Sequence, residues 1–458
     1  TTLTAIDVNA GTGSSDPQHL TNVGGVLYFR ATTPATGREL FKYDGTTLTA
    51  IDVNAGTGSS DPWELTNVSG VVYFRAYTPA TGVELFKYDG TTLTAIDVNA
   101  GTGDSGPANP TVVGGVLYLS AYTTALDNEL LIYDGTTLTT VDVNTATADS
   151  SGHDFVASGG SIYFRAYTPT VGDELFRLSG GTVTTIDVRP GQGGSYPTFL
   201  TDVGSVLHFS ASTTAAGQEL FKYDGTTLTV VDIVVGSASS SPSTLLNVGG
   251  VLYFLASTAA TGVEVFKYDG ATVAAIDINA GTSSSSPQEL TASGGTLYLR
   301  ATTPATGYEL FKYDGTTLTA IDVNAGTGSS DPQHLTNVGG VLYFRATTPA
   351  TGRELFKYDG TTLTAIDVYA GAGSSGPANL TDVGGVLYFR AWTSATGDEL
   401  FKYDGTTLTA IDVNAGTGSS DPQHLTNVGG VLYFRATTPA TGRELFKYDG
   451  TTLTAIDV

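Results

Sequence analysis

The sequence predicts an all-β protein made of ten copies of one 45-residue unit, and three observations support this prediction. First, Glu39 begins a Glu-Leu-Phe-Lys-Tyr-Asp-Gly segment that returns every 45 residues, with few substitutions, as far as Glu444. Second, residues 1–45, 316–360 and 406–450 are identical. Third, each copy is rich in Val, Leu, Ile, Thr, Tyr and Phe and contains no stretch of helical periodicity. A fixed period of this length is typical of stacked repeat proteins.

Each copy is predicted to contain four strands that follow one another as a meander. In the first copy the predicted strands are residues 20–23, 25–32, 38–43 and 47–53. The residues between them have turn chemistry: Gly24-Gly25 joins the first two strands, Pro34 and Gly37 lie in the second loop, and Asp44-Gly45 connects the third strand to the fourth. Residues 9–17, rich in Gly and Ser, are predicted to link one unit to the next.

The second strand is apolar on both sides, which predicts that sheets stack face to face. Val26 and Tyr28 alternate along it with Leu27 and Phe29, so neither face of the strand is suited to water. Four short antiparallel strands in about 45 residues, covered on both faces, are the sequence profile of a β-propeller blade. The sequence therefore predicts a β-propeller, with ten blades if the array closes.

The arrangement of the units leaves two alternatives, because propellers usually have about four to eight blades. One is an open superhelical array of blades, and the other is a β-solenoid with two coils per copy, which explains the Asp-Gly turns less well. Residues 1–8 repeat as 451–458, so residues 1–458 are predicted to form a single array with one surplus terminal strand. The surplus fits a ten-bladed ring with a spare strand, an open array, or a piece of a longer array.

Composition and charge restrict the environment and the partners of this chain. Twenty Lys and Arg against 44 Asp and Glu give a net charge of -24, which argues against nucleic acid and anionic lipid as partners. No apolar run approaches the roughly 20 residues of a membrane span, so no membrane insertion is expected. The chain has no cysteine and few basic residues, which predicts an extracellular location. Since residue 1 is Thr, we expect a processed protein or a segment of a longer one.

Two segments carry a resemblance to a known family. Residues 39–46 read Glu-Leu-Phe-Lys-Tyr-Asp-Gly-Thr, and residues 20–29 read Leu-Thr-Asn-Val-Gly-Gly-Val-Leu-Tyr-Phe. With these segments the chain resembles, over essentially its whole length, the bacterial repeat family named for its Glu-Leu-Trp-x-x-Asp-Gly-Thr signature. The resemblance implies a large secreted or surface-attached bacterial protein with tandem propeller-like repeats and no known catalytic role. Phe41 and its equivalents, with Leu131 once, stand where the family has Trp.

Acidic residues recur in the copies and are candidate ligands of a metal ion. Glu39 and Asp7 return in every copy, and Asp44 in every copy except one. Calcium would need several oxygen atoms in one loop, and Asp52, with Asn54, Gly56 and Asp61 in the same loop, offers such a set. Because other copies replace the last of these, we predict that the Asp residues cap turns and strand ends, with calcium as the alternative.

Asp61 is replaced elsewhere by Gly106, Ser151, Tyr196, Ser241, Ser286 and Gly376. Neither an enzyme cofactor nor a metal-binding residue is predicted.

Basic residues of the repeat suggest no catalytic or anion-binding site. Arg30 and Glu39 lie on neighbouring predicted strands and could pair, but Arg30 is replaced by Ser120 or Leu255 in copies that keep the Glu. Such a pair is therefore not required. Lys42 is predicted to be a solvated charge at a sheet edge, where lysine discourages wrong pairing.

Residues that occur once mark where a specialised site would lie. They fall in the divergent copies, residues 99–247, and are His153, Asp154, Arg189, Tyr196 and His208. The other histidines, His19, His334 and His424, share one predicted loop position. No catalytic residue is predicted. Trp63, in the predicted link, and Trp392, after the second strand, would be the aromatic platforms of a sugar-binding protein.

These observations predict a non-catalytic extracellular repeat protein that builds a surface fibre, sheath, appendage or adhesin. An exposed terminal strand can pair with another chain, so self-association through the terminal edge strands is expected. The alternative is a ligand-binding propeller that recognises a cell-surface glycan or protein through its loops. An enzyme is not expected.

Overall fold

The protein, described as a computed structural model over residues 4–6, 13–144 and 149–456, is all-β. Consecutive strands form ten antiparallel four-stranded meanders, each in its own sheet, and one of these sheets has a fifth strand. Across these described residues no segment is helical, so none forms a helix able to cross a membrane. The fold is that of a β-propeller with ten blades, as the repeat predicts.

The strand β1 spans Thr4–Ile6, and the blades follow it in chain order. Blades 1 to 3 contain β2 Gln18–Val23, β3 Val26–Thr33, β4 Gly37–Tyr43, β5 Leu48–Ile51; β6 Trp63–Val68, β7 Val71–Thr78, β8 Gly82–Tyr88, β9 Leu93–Ile96; β10 Ala108–Val113, β11 Val116–Thr123, β12 Asp127–Tyr133 and β13 Leu138–Val141.

Blades 4 to 6 contain β14 His153–Ser158, β15 Ser161–Thr168, β16 Gly172–Ser179, β17 Thr182–Ile186; β18 Thr198–Val203, β19 Val206–Thr213, β20 Gly217–Tyr223, β21 Leu228–Val231; β22 Ser243–Val248, β23 Val251–Thr258, β24 Gly262–Tyr268 and β25 Val273–Ile276. Blades 7 and 8 contain β26 Gln288–Ser293, β27 Thr296–Thr303, β28 Gly307–Tyr313, β29 Leu318–Ile321; β30 Gln333–Val338, β31 Val341–Thr348, β32 Gly352–Tyr358 and β33 Leu363–Ile366. Blades 9 and 10 contain β34 Ala378–Val383, β35 Val386–Thr393, β36 Gly397–Tyr403, β37 Leu408–Ile411; β38 Gln423–Val428, β39 Val431–Thr438, β40 Gly442–Tyr448 and β41 Leu453–Ile456.

Turn chemistry sets the ends of the strands. Gly24 and Gly25 both have positive φ, 60° and 86°, the backbone that a two-residue hairpin turn needs. After the third strand, Asp44 Oδ1 accepts hydrogen bonds from the backbone N–H groups of Thr46 at 2.9 Å and Thr47 at 2.7 Å. This turn holds the chain until Leu48, so the fourth strand begins and ends within the predicted one. The first strand begins earlier than predicted, at Gln18.

The core of each blade interface is formed by the apolar faces that the alternation predicts. Phe29 and Phe41 are fully buried and their rings stack with centroids 5.8 Å apart. On the other face of blade 1, Tyr28 and Leu40 pack in one cluster with Phe74 and other residues of blade 2. Burial of each such side chain stabilises the fold by about 2 kcal/mol.

The chain divides into two compact units. The first unit comprises Thr1–Gly103, Thr306–Leu310 and Ala320–Val458, and the second comprises Asp104–Ala305 and Phe311–Thr319. Within the first unit β2 lies beside β38, and Tyr43 packs on Tyr433 with ring centroids 6.0 Å apart. The first and last blades are therefore neighbours, which an open array would not bring about. The β-solenoid alternative is also wrong, because the four strands of each copy pair with one another as an antiparallel meander.

The surplus strand is placed on the last blade. β1 pairs in parallel with β41, Thr4 opposite Thr454 and Ile6 opposite Ile456, and makes that sheet five-stranded. The other residues of the two identical segments, 1–3, 7–8 and 457–458, lie outside the described residues.

Candidate functional site

The glutamate that recurs in all copies holds blades together. Glu39 on β4 is fully buried and accepts three hydrogen bonds: from Val53 N–H at 2.9 Å, from Ser60 N–H at 2.8 Å and from Ser60 Oγ at 2.5 Å. The carbonyl oxygen of Ser60 accepts a bond of 2.8 Å from Tyr77 N–H on the next blade. The side chain proposed as a partner of Arg30 thus bonds elsewhere, and its role is structural.

The same clamp, a buried Glu bound to the Ser of the following link, recurs in other blades. In the second unit Glu219 accepts bonds from Ser240 N–H at 2.8 Å and Ser240 Oγ at 2.6 Å. In the first unit Ser15, which precedes blade 1, donates in the same way to Glu444 of blade 10, with 2.7 Å from its N–H. The link before blade 1 therefore serves blade 10 as the internal links serve the other blades.

Burial gives the clamp an unusual titration. Desolvation raises the pKa of Glu39 to about 7, although the hydrogen bonds from Ser60 and Val53 oppose the rise. The pKa of Glu399 is raised to about 7 for the same reason. A carboxylate with its oxygens fully engaged inside a blade interface is out of reach of a substrate, so this titration bears on stability.

The repeated lysine also joins blades, and its prediction as a solvated edge charge is wrong. Lys42 Nζ donates a hydrogen bond of 2.7 Å to Gly90 O and lies 5.2 Å from the centre of the Tyr88 ring. Lys447 Nζ makes the equivalent contact between blades 10 and 1 and donates a hydrogen bond of 3.0 Å to Tyr43 Oη. In both lysines the ammonium group donates to the carbonyl oxygen of a turn and is stabilised by the face of an aromatic ring.

Two of the carboxylates that could bind calcium, those of Asp52 and Asp61, accept hydrogen bonds within the protein. Asp52 Oδ2 accepts a bond of 3.1 Å from Gly56 N–H, which is the capping role predicted for it. Asn54 Nδ2 donates to a backbone carbonyl at 3.3 Å, and Asp61 Oδ1 accepts from Arg38 Nη1 at 2.8 Å. Over residues 13–144 and 149–456, no group of three or more His, Asp or Glu is arranged to hold a metal ion. Asp7 lies outside the described residues.

The residues that occur once are separated by the fold. His153 and Asp154 are adjacent, with Nε2 and Oδ2 3.7 Å apart. Tyr196 contacts Arg165, whose guanidinium lies 5.5 Å from the centre of the Tyr196 ring. His208 is instead buried between blades, its ring 5.8 Å from that of Tyr268. Arg189 stays within its own link and donates to Gly194 O at 3.3 Å.

Two local placements differ from the sequence prediction. Trp63 is the first residue of β6, and Trp392 lies inside β35, so both are on strands. His19, His334 and His424 also lie on first strands. A β-bulge before Thr21 places these residues in the left-handed region of the backbone, with φ of 56° for His19.

Six positions of each copy form a surface that we call the variable face. In the first copy they are Asp16, Gln18, His19, Arg30, Thr32 and Arg38, and in each later copy they are the residues at intervals of 45. Strand pairing places them together, since Gln18 is the partner of Arg30 and Thr32 is the partner of Arg38. Asp61, the next copy's equivalent of Asp16, binds Arg38.

The variable face differs between copies, whereas the buried apolar positions of the repeat change little. The third of these positions reads His, Glu, Asn, Asp, Phe, Thr, Glu, His, Asn and His along the chain. All ten of these residues have positive φ, which costs a non-glycine residue about 1–2 kcal/mol. None of the copies relieves this cost with glycine, so a side chain is maintained at this position.

Exposed aromatic side chains concentrate on the variable face, and so do the arginines of the chain. Among the described residues, every large aromatic side chain that is exposed lies at one of its positions: Trp63, Tyr77, Tyr122, Tyr167, Tyr196, Phe199 and Trp392. Apart from Arg177 and Arg189, every arginine of the chain also lies there. Comparison of the copies at a fixed position could have found this surface from the sequence.

Each unit has a concavity on its first strands that is lined in part by residues of the variable face. In the first unit a concavity of 450 Å³ is lined by His19, Trp63, His424 and Arg435, among others. Burial and nearby arginines lower the pKa of both histidines, so they are neutral at pH 7. In the second unit a concavity of 580 Å³ is lined by Asp154, among others.

Comparison with known proteins gives similarity of fold. No protein-family model and no curated protein matches the chain. The β-propeller domain of the Trilobed protease from Pyrococcus furiosus is 12% identical, with a TM-score of 0.32, over 66% of this chain and 96% of that one. The extracellular domain of a hybrid two-component system from B. thetaiotaomicron is 14% identical, with a TM-score of 0.32, over 96% and 64%.

A chain from a study of two prolyl endopeptidases is 12% identical, with a TM-score of 0.39, over 78% of this chain and 55% of that one. The present chain therefore spans less than two thirds of the last two proteins. At this level of identity the similarity concerns the fold alone.

Proposed function

We propose that this protein is a non-catalytic, extracellular binding propeller that recognises a glycan or a protein through its variable face. The observation that carries the proposal is the coincidence of variation with exposed binding chemistry. Tyr, Trp and Arg are the residues that contribute most at binding surfaces. Here they occupy the positions that differ between copies, on a scaffold whose core positions hardly change.

Exposure alone does not account for the variation. The turn at Asp44 is also exposed, yet Asp recurs there in every copy except the one with Ser179. Its side chain is required by the turn itself, through its bonds to Thr46 and Thr47. The six positions of the variable face carry no such constant requirement, so their residues are free to serve recognition.

A variant with a uniform variable face tests the proposal. In blades 2 to 7 and 9, the residues at the six positions are replaced by those of the identical copies in blades 1, 8 and 10. Both proteins are applied to arrays of glycans and of surface proteins, with circular dichroism as the control for folding. We expect the natural chain to bind a ligand that the uniform variant does not. Equal binding by the two proteins would contradict the proposal.

Location and family are part of the same proposal. The absence of cysteine and the small number of basic residues favour an extracellular protein, and the Glu-Leu-Phe-Lys-Tyr-Asp-Gly-Thr segment favours the Glu-Leu-Trp repeat family. A role as a building block of a fibre, with self-association through terminal strands, stays a prediction. Electron microscopy at increasing protein concentration would test it through the appearance of filaments.

A further inference from the structure

Blade 2 carries a row of three side chains on the variable face that no other copy combines. Trp63 on β6 is the register partner of Arg75 on β7, and Tyr77 lies two residues further along β7, so the three lie on one side of the sheet. Trp63 is 45% exposed and Tyr77 is 42% exposed. Arg30 of blade 1 lies 4.9 Å from the centre of the Trp63 ring. The row offers two exposed aromatic side chains and an arginine that is the register partner of Trp63 and lies two residues before Tyr77.

The charge of Arg75 is not neutralised. Within residues 13–144 and 149–456, Arg75 forms no hydrogen bond and no ion pair through its side chain. The residue across the strand from Tyr77 is Val83, which brings no charge. Arg75 is half-buried, so its guanidinium group has lost part of its hydration without gaining a carboxylate.

Two other blades have an aspartate at the position equivalent to Val83, and this aspartate binds the arginine. In blade 4, Asp173 holds Arg165 through two bonds of 2.6 and 3.0 Å, and in blade 9, Asp398 holds Arg390 through two bonds of 3.2 and 3.1 Å. Both blades also carry an exposed aromatic residue two positions after the arginine. An aspartate at the position of Val83 therefore neutralises the arginine beside the aromatic ring, and in blade 9 Asp421 of the next blade also binds Arg390.

The row fits one ligand chemistry. The C–H groups of a pyranose ring form a flat apolar face that packs on Trp or Tyr, which suits aromatic side chains exposed among polar groups. A free guanidinium group binds a carboxylate or a sulfate through two parallel N–H donors. A chain of net charge -24 repels acidic polymers in general, so an acidic ligand needs a local cation of this kind.

Resting on the binding role proposed above, we propose that blade 2 binds an acidic sugar residue of a polysaccharide. The ring packs against Trp63 and Tyr77, and the carboxylate or sulfate binds Arg75. Blades 4 and 9 present aromatic rings beside neutralised arginines and are suited to uncharged sugars. The residue at the Val83 position selects between the two classes.

The experiment uses the full chain and a panel of acidic oligosaccharides, each paired with its neutral counterpart. Uronate oligomers are paired with their methyl esters, and sulfated oligomers with the desulfated forms, so the panel also distinguishes the two acidic groups. The variants are Val83→Asp, which reproduces the arrangement of blades 4 and 9, and Val83→Thr as the uncharged control of similar size. Asp173→Val in blade 4 is the reciprocal change.

We expect at least one acidic oligomer to bind about 10- to 100-fold more tightly than its neutral counterpart. Val83→Asp removes this preference, Val83→Thr keeps it, and Asp173→Val adds a second acidic site. The assignment is overturned if no acidic oligomer is preferred, if Val83→Asp binds as the natural chain does, or if acidic peptides alone bind. Binding of neutral glycans unaffected by Val83→Asp would overturn this assignment and leave the binding role of the variable face in place.

Discussion

Replacement of Glu39 by Ala tests whether the buried clamp holds neighbouring blades together. The change leaves three donors, Val53 N–H, Ser60 N–H and Ser60 Oγ, without their acceptor in a buried site. Each unsatisfied buried donor costs about 1–3 kcal/mol. Water entering the space left by the side chain recovers part of this, so we expect a loss of about 3–4 kcal/mol in the free energy of local opening.

Hydrogen exchange followed by mass spectrometry measures this loss where it occurs. Peptides that contain Trp63 are unique in the chain, so the link between blades 1 and 2 can be followed despite the identical copies. A loss of 3–4 kcal/mol corresponds to about 100- to 1000-fold faster exchange at Ser60 and Tyr77. Peptides around Tyr196 in the second unit serve as the internal control and should not change. Unchanged exchange at Ser60 and Tyr77 in Glu39→Ala would refute the clamp.

Three further outcomes are expected. Because the pKa of Glu39 is raised to about 7 from 4.5, the folded state binds a proton that the unfolded state releases. Stability should therefore fall as the pH rises from about 5 to 7, and a denaturation midpoint that rises instead would contradict this. Gly262→Ala would place a Cβ 2.7 Å from Ser284 N and should lower the denaturation midpoint clearly more than Gly270→Ala. The Cβ of Gly270→Ala meets nothing within 4 Å, so this variant costs only about 1 kcal/mol of backbone strain. Equal effects of the two changes would count against the close approach at Gly262. Lys447→Met removes the bonds to Tyr43 Oη and Gly45 O and should cost about 1–2 kcal/mol in denaturant unfolding, whereas no change would show that this contact does not stabilise the neighbouring blades.

The fold was largely predictable because each signal is local. Alternation along the second strand and the Asp44 turn act within a few residues, and they fix four strands per copy. The closing contact was less predictable, since it depends on Ser15 reaching Glu444 at the other end of the chain. Nothing in the sequence between Ser15 and Glu444 indicates that these two residues are in contact.

The polar interactions between blades were missed for a physical reason. Glu39 finds its partner Ser60 twenty-one residues later, in a link where Ser59 and Ser60 look alike in sequence. Only the recurrence of both residues in every copy hints at the pair. Lys42 was assigned to solvent because its partner, Gly90 O, belongs to the next copy.

The variable face was within reach of the sequence, but its coherence depends on strand register. Trp63 and Trp392 occupy different positions of their copies, so the sequence alone does not indicate that they belong to one surface. The fold places both on the variable face. The Trp63 position pairs with the arginine position of the second strand, as Trp63 does with Arg75. Trp392 lies on the same strand of its own blade, two residues after Arg390. Isolated aromatic residues thereby become parts of one surface.

Hydroxyl-radical footprinting of the natural chain, with and without the strongest ligand from the arrays, tests the binding role of the variable face most directly. Oxidation of exposed side chains is measured residue by residue with mass spectrometry. The account predicts that the ligand protects aromatic residues of the variable face, such as Trp63 and Tyr77, while Val235, 88% exposed and outside that face, is oxidised as before. Protection at Val235 with Trp63 and Tyr77 unchanged would contradict it.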